Sequence, residues 1–149
     1  MRLRELTAVL ALCCSASVHA DPSLPVGLWS MLDKDQRPHG TFQISEENGE
    51  LKAVILQPVV EPGGNPDPIC DKCAGANKDK PLKGLLLIWG LKKDGEQWDS
   101  GKVLNPHSGS VYSVRLQMQD SNTIKLRGYL GLPLLGITQT WVRQTASTQ

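Results

Sequence analysis

Between Tyr112 and Leu130 the chain spells out one antiparallel hairpin. Tyr112, Val114, Leu116 and Met118 alternate with Ser113, Arg115 and Gln117; Asp120-Ser121-Asn122 makes a turn; Ile124, Leu126 and Leu130 then face inward while Lys125 and Arg127 face out. A period of two puts one set of side chains on a buried face and the other in water, and a slip by one residue would exchange them. The same grammar recurs along the chain. Strands are predicted over Val26 to Leu32, Gly40 to Ser45, Leu51 to Leu56, Leu85 to Trp89, Gln97 to Val103 and Ile137 to Arg143. Asn48-Gly49 and Asp94-Gly95 supply the tight turns, since both dipeptides tolerate the positive φ angles that hairpins need. Gly131-Leu132-Pro133-Leu134-Leu135-Gly136 reads as an apolar corner, because proline and glycine interrupt a ladder. No stretch beyond the first twenty residues shows a convincing 3.6-residue apolar period, which argues for β structure.

Hairpin following hairpin describes an antiparallel meander. Closing it into a barrel removes both exposed edges, and about eight strands leave an interior that side chains fill or that holds one small ligand. The fold class is therefore all-β, a single antiparallel up-and-down barrel of about eight strands, with an open sandwich as the alternative. A chain of 149 residues supports one such domain.

The first twenty residues read as a secretory signal. Arg2 and Arg4 precede an apolar stretch from Leu6 to Cys14, and Val18-His19-Ala20 ends in small residues suited to cleavage. The apolar run is too short to span a bilayer, which takes roughly 20 apolar residues. Cleavage after Ala20 makes residues 21–149 the mature domain and places it in the periplasm or outside the cell. Arg2, Arg4 and Glu5 leave with the signal, so the 16 basic and 15 acidic residues become 14 of each, with no basic footprint for nucleic acid. Cys13 and Cys14 leave too, and Cys70 and Cys73 remain in an oxidising compartment.

Cys70-x-x-Cys73 admits three chemistries. A redox-active pair would sit at the start of a helix in a βαβ unit, which the surrounding pattern lacks. A zinc site needs about four ligands, and beyond the signal only His39 and His107 accompany the two thiols, so no metal is assigned. A local structural disulfide needs nothing further, and would hold the long connection from Val59 to Lys83, with its prolines, its glycines and Lys72, Lys78, Lys80 and Lys83. That connection is placed either as a lid over the barrel mouth or as a solvated excursion.

No Gly-x-Ser-x-Gly elbow, His-Glu-x-x-His or phosphate loop occurs, and His107 lies in a turn-like Asn-Pro-His-Ser-Gly, so neither catalysis nor a cofactor is expected. Trp89, Trp98, Tyr112, Tyr129 and Trp141 offer apolar faces with polar handles, as a ligand cavity or a filled core requires.

Several blocks together resemble the bacterial secreted family catalogued as domain of unknown function 2147. They are Gly27-Leu28-Trp29, Asn65-Pro66-Asp67-Pro68, Cys70-Asp71-Lys72-Cys73-Ala74-Gly75, Trp98-Asp99-Ser100-Gly101-Lys102, Arg127-Gly128-Tyr129 and Gln139-Thr140-Trp141-Val142-Arg143. The resemblance implies a lipocalin-like or calycin-like barrel exported to the periplasm. In such barrels a Gly-x-Trp of the first strand closes the floor and a basic side chain of the last strand lies across the indole, which assigns those places to Trp29 and Arg143. The function expected is binding of a small hydrophobic or amphipathic ligand. An alternative is an envelope interaction protein with a filled barrel and the 59–83 loop as docking site; a third is a thiol-disulfide redox protein using the Cys-x-x-Cys pair.

Overall fold

A computed structural model describes residue 21 and residues 23–145. The signal segment 1–20, with its cleavage point and Cys13 and Cys14, lies outside the described residues.

Eight strands follow in chain order: β1 Gly27–Leu32, β2 Pro38–Glu47, β3 Glu50–Gln57, β4 Leu86–Asp94, β5 Gln97–Leu104, β6 Val111–Asp120, β7 Thr123–Tyr129 and β8 Ile137–Arg143. Each pairs antiparallel with the next, and β8 returns to β1 to close the barrel. The meander is thus as the sequence predicts, and the open sandwich is excluded. At the β2–β3 turn Asn48 and Gly49 both take positive φ, 53° and 78°, and Glu47 pairs directly with Glu50. These are the angles of a two-residue hairpin loop whose twist matches the flanking strands.

An up-and-down barrel sends alternate connections to opposite ends. The short turns after β2, β4 and β6 gather at one end, which we call the floor, together with the segment before β1. The connections after β1, β3, β5 and β7 gather at the other end, the mouth. The core lies between them, with Phe42, Ile44, Leu51, Ala53, Ile55, Leu91, Val114, Leu116, Ile124 and Leu126 pointing inward.

Two details differ from the sequence reading. β7 stops at Tyr129, and Leu130, expected to face inward, is 67% exposed. The corner that follows forms a single 3₁₀ turn over Pro133–Leu135, which carries the chain off the ladder one residue earlier than the alternation suggests. Leu130, Leu132, Leu134, Leu135 and Ile137 consequently stand in solvent. β4 runs on to Asp94, well past Trp89, because Gly90 adopts φ 72° and lets the strand continue through a local irregularity. Ahead of it Leu87 and Ile88 are both buried, so the strict alternation fails there.

The β1–β8 seam is short. It consists of Trp29 with Arg143, Ser30 with Val142 and Met31 with Trp141. Above that last rung, Ile137 to Thr140 bond only to β7 among the described residues. Trp141 therefore sits where the seam begins to part.

Candidate functional site: an apolar cavity open at the barrel mouth

The floor is built around Arg143. Its guanidinium carbon lies 4.4 Å from the centre of the Trp29 ring. The three nitrogens donate to backbone carbonyls: Nε to Ser121 at 2.8 Å, Nη1 to Val26 at 2.8 Å and Nη2 to Leu24 at 2.9 Å. Trp29 is fully buried, and its Nε1 donates to the Pro25 carbonyl at 2.8 Å. Gly27 makes room for this stack, since a Cβ there would come within 2.8 Å of Arg143 Nη1. One planar cation thus ties the β6–β7 turn and the segment before β1 across the barrel end. Burial pulls the Arg143 pKa down from its ordinary value, with no carboxylate in a salt bridge to offset it among the described residues.

Above the floor the barrel encloses a cavity of about 440 Å³ that opens at the mouth. This volume falls in the range of small-molecule sites, roughly 300 to 1,000 Å³. Its inner wall is apolar, formed by Phe42, Ile55, Leu87, Ile88, Val114 and Leu126, with Trp141 beside them. The Trp141 ring stacks on Phe42, centroids 4.3 Å apart and planes 20° from parallel. Its polar groups are Glu61, Asn105 and His107 from the mouth connections, Tyr112 near the start of β6, and Gln139 opposite Leu126. No lysine or arginine lines the cavity among the described residues.

Of the five aromatic residues singled out in the sequence, Tyr112 and Trp141 reach the cavity. Trp89, Trp98 and Tyr129 do not, and cross-strand register gives the reason. Trp89 pairs with Lys102, Lys102 with Ser113 and Ser113 with Tyr129, which places all four in one row on the outer face. Tyr129 directs its hydroxyl to Asp99, 3.5 Å away, beside the Arg115–Asp99 ion pair at 2.6 Å. Burial would raise the Asp99 pKa, but the Ser100 N–H, Arg115 and Tyr129 together hold it below the ordinary value. Trp98 points inward but lies one residue beyond the β4–β5 turn, at the floor, where Lys93 Nζ covers its ring at 3.7 Å. It fills space below the cavity.

The long connection after β3 divides its work. Pro58, Val59, Glu61 and Leu82 line the mouth. Between them residues 68–82 fold into a small lobe: Ile69 bridges Pro81, the Cys70 N–H donates to the Lys80 carbonyl at 2.8 Å and the Leu82 N–H to Pro68 at 2.9 Å. A Cys70–Cys73 disulfide closes it, Cα atoms 5.3 Å apart. Both cysteines are buried, at 0% and 4% exposure, and Cys70 Sγ packs 3.7 Å from the Pro106 carbonyl oxygen of the β5–β6 connection. Gly109 lies so close beneath the lobe that a Cβ would meet the Lys72 carbonyl oxygen at 1.9 Å. Lys72, Lys78, Lys80 and Lys83 are exposed and away from the cavity. The segment is thus partly a wall of the mouth and partly a docked lobe.

At the same end Asp33 organises the β1–β2 turn. Its carboxylate accepts from the backbone N–H groups of Arg37 and Asp35, each at 2.8 Å, and faces His39 Nε2 at 2.8 Å. The Arg37 N–H first, then His39 and Asp35, hold its pKa down at about 2 against a desolvation that works the other way. No group of three or more His, Cys, Asp or Glu side chains suited to a metal ion occurs among the described residues.

The sequence assigned none of Glu61, Asn105, His107 and Gln139 to a cavity, and read His107 only as a turn residue. The signal that could have found the first three is parity. Once strands are ordered as a meander, the connections after β3 and β5 must share an end, and the polar residues in them face each other across the mouth.

A closed eight-stranded meander, an aromatic floor clamped by an arginine and an apolar cavity open at the opposite end define a lipocalin-like barrel protein. The family described as uncharacterized protein conserved in bacteria, DUF2147, matches over residues 27–143, and the chain belongs to it. The same fold occurs in protein HP1028 from the human pathogen Helicobacter pylori, described as belonging to the lipocalin family: TM-score 0.69, 19% sequence identity, covering 81% of this chain and 83% of that one. A redesigned β barrel also aligns, at TM-score 0.45 and 16% identity over 83% of this chain and 95% of that one. No curated protein sequence matches it at a significant level.

Proposed function

We propose that this chain is an exported protein that binds a small hydrophobic or amphipathic ligand inside its barrel. The cavity of about 440 Å³ carries this reading, with a mostly apolar wall and Glu61, Asn105 and His107 at the mouth. An apolar ligand portion would gain roughly 25 cal/mol for each Å² removed from water, and the rim groups suit a polar end. The filled barrel of the interaction-protein alternative draws no support from a barrel with such a space. Thiol–disulfide exchange draws none either, because it needs a sulfur that a thiolate can reach, and Cys70 and Cys73 are buried.

The charge pattern and small residues of the first twenty positions support export. Native mass spectrometry of protein recovered from the periplasm of its own host tests both parts. The expected result is a chain beginning at Asp21 with a co-purifying small lipid-like molecule. A chain retaining Met1, or one that stays without bound mass and takes up no apolar probe, would overturn the corresponding part.

A further inference from the structure

The β7–β8 connection puts five aliphatic side chains into solvent at the barrel mouth. Leu130, Leu132, Leu134, Leu135 and Ile137 are each between 65% and 85% exposed. Single exposed leucines are ordinary, but a run of them on one connection makes a contiguous apolar patch, and such patches mark contact surfaces.

The fold holds the corner in this posture. Its 3₁₀ turn closes with the Leu135 N–H on the Leu132 carbonyl at 3.1 Å and the Gly136 N–H on Pro133 at 3.2 Å. Arg127 reaches over from β7 and donates to the carbonyls of Pro133 and Leu134, and to Thr138 Oγ1 at 2.7 Å. Gly136 lies so near β7 that a Cβ would meet the Gly128 carbonyl oxygen at 2.5 Å. The backbone is pinned to the barrel while the aliphatic side chains stay in water.

The charges below the corner show what it faces. On β5 to β8, the three outward rows under the mouth carry Lys102, Arg115, Lys125 and Arg127 and a single carboxylate, Asp99, which Arg115 already pairs. The topmost of these rows also carries Trp89 and Tyr129. The neighbouring β1–β2 turn is balanced, with Asp33 and Asp35 paired to Lys34 and Arg37. An aliphatic tip backed by amphipathic rings and unopposed cations suits a lipid interface: the tip enters the acyl boundary, the rings sit at headgroup level and the cations meet phosphates. A protein partner fits less well, because binding hot spots are built on Trp, Tyr and Arg, and residues 130–137 contain none of them.

We infer that the β7–β8 corner docks the barrel on a bilayer bearing anionic headgroups, with the mouth toward the lipid. Ile137 belongs to the exposed patch and also lines the cavity. Docking therefore brings the cavity opening to the acyl boundary.

Sedimentation with vesicles of phosphatidylcholine alone, or of phosphatidylcholine and phosphatidylglycerol in equal parts, tests the inference. Wild type should bind the anionic vesicles, and less so as salt rises. Leu134→Ser with Leu135→Ser removes only exposed side chains and should weaken binding about tenfold or more. Lys102→Gln with Lys125→Gln should weaken binding to anionic vesicles by about fivefold for each lysine and leave neutral vesicles unaffected. Vesicles should slow amide hydrogen exchange within residues 130–137 and not in the β2–β3 and β6–β7 turns at the floor. No binding to anionic vesicles, undiminished binding by the folded leucine variant, or protection at the floor turns instead would overturn the inference. A concentration-dependent dimer that the leucine variant abolishes would also overturn it, in favour of a second copy of the chain. Docking by a protein that takes up no N-phenyl-1-naphthylamine, a neutral apolar probe, would overturn the ligand-binding reading above and leave this surface assigned to lipid.

Discussion

Arg143 holds three carbonyls and an indole face with one side chain, and only a planar fork can do so. A lysine there would keep the charge but reach one carbonyl at a time and lose the flat face that stacks on Trp29. Arg143→Lys should therefore cost about 1–3 kcal/mol in urea unfolding. Gly27→Ala should be destabilising as well, since φ 137° and a 2.8 Å approach to Arg143 Nη1 leave no room for a methyl group. Asp33 titrates at about 2 in the folded chain against about 3.8 otherwise. A depressed folded pKa gives stability that is present above pH 4 and lost as pH falls toward 2. The thermal melting point should drop over that interval, and Asp33→Asn should flatten this part of the profile. The Gly-x-Trp and the terminal arginine were legible as residues, but the carbonyls of Leu24, Val26 and Ser121 belong to backbone that side-chain spelling does not describe.

The strands show what turn chemistry and alternation can decide. Asn48-Gly49 sets a hairpin loop and hence the register of β2 on β3, and Val114, Leu116, Ile124 and Leu126 face inward by period two alone. Alternation loses its authority at irregularities. Gly90 and the paired burial of Leu87 and Ile88 break it in β4, and Trp89 lands on the outer row with Lys102 and Tyr129. The connection after β3 is the other element that pattern left open. Its disulfide closes a very short loop, for which chain entropy gives a stabilisation of about 2 kcal/mol. The paired Cys70→Ser and Cys73→Ser variant should lose about that much in calorimetry. Reduction of the native protein by dithiothreitol should be slow, because both sulfurs are buried. Gly109→Ala should unseat the lobe from the β5–β6 connection, seen as faster proteolysis within residues 58–85, since the Lys72 carbonyl occupies the space a Cβ needs. The corner at Leu134 and Leu135 carries the opposite expectation. These side chains are 85% and 78% exposed, so Leu134→Ser with Leu135→Ser should change stability by no more than about 0.5 kcal/mol.

At the scale of the whole molecule, the cavity makes stability and ligand occupancy one quantity. A ligand that binds only the folded barrel, present at a hundred times its Kd, should stabilise it by about 2.7 kcal/mol. Gly128 offers a control within the wall. It lines the cavity, its φ is ordinary, and an added Cβ would meet only Val103 Cγ1 at 3.8 Å and a carbonyl oxygen at 3.9 Å. Gly128→Leu should therefore fold with undiminished stability, occupy part of the cavity and abolish the ligand-dependent stabilisation, which parallel melting curves with and without the neutral apolar probe N-phenyl-1-naphthylamine would show. Among the described residues no helix is long and apolar enough to cross a membrane, and the barrel itself keeps its apolar row inside. By itself the sequence determined the eight strands, their antiparallel order and the register of the tightest turns, because those depend on neighbours a few residues apart. Tertiary structure alone decided that the interior is open, and that Tyr112 and Trp141 line it while Trp89, Trp98 and Tyr129 do not. Each of these depends on how side-chain volumes sum across all eight strands and where irregularities shift the inward row, quantities spread over the whole closed barrel.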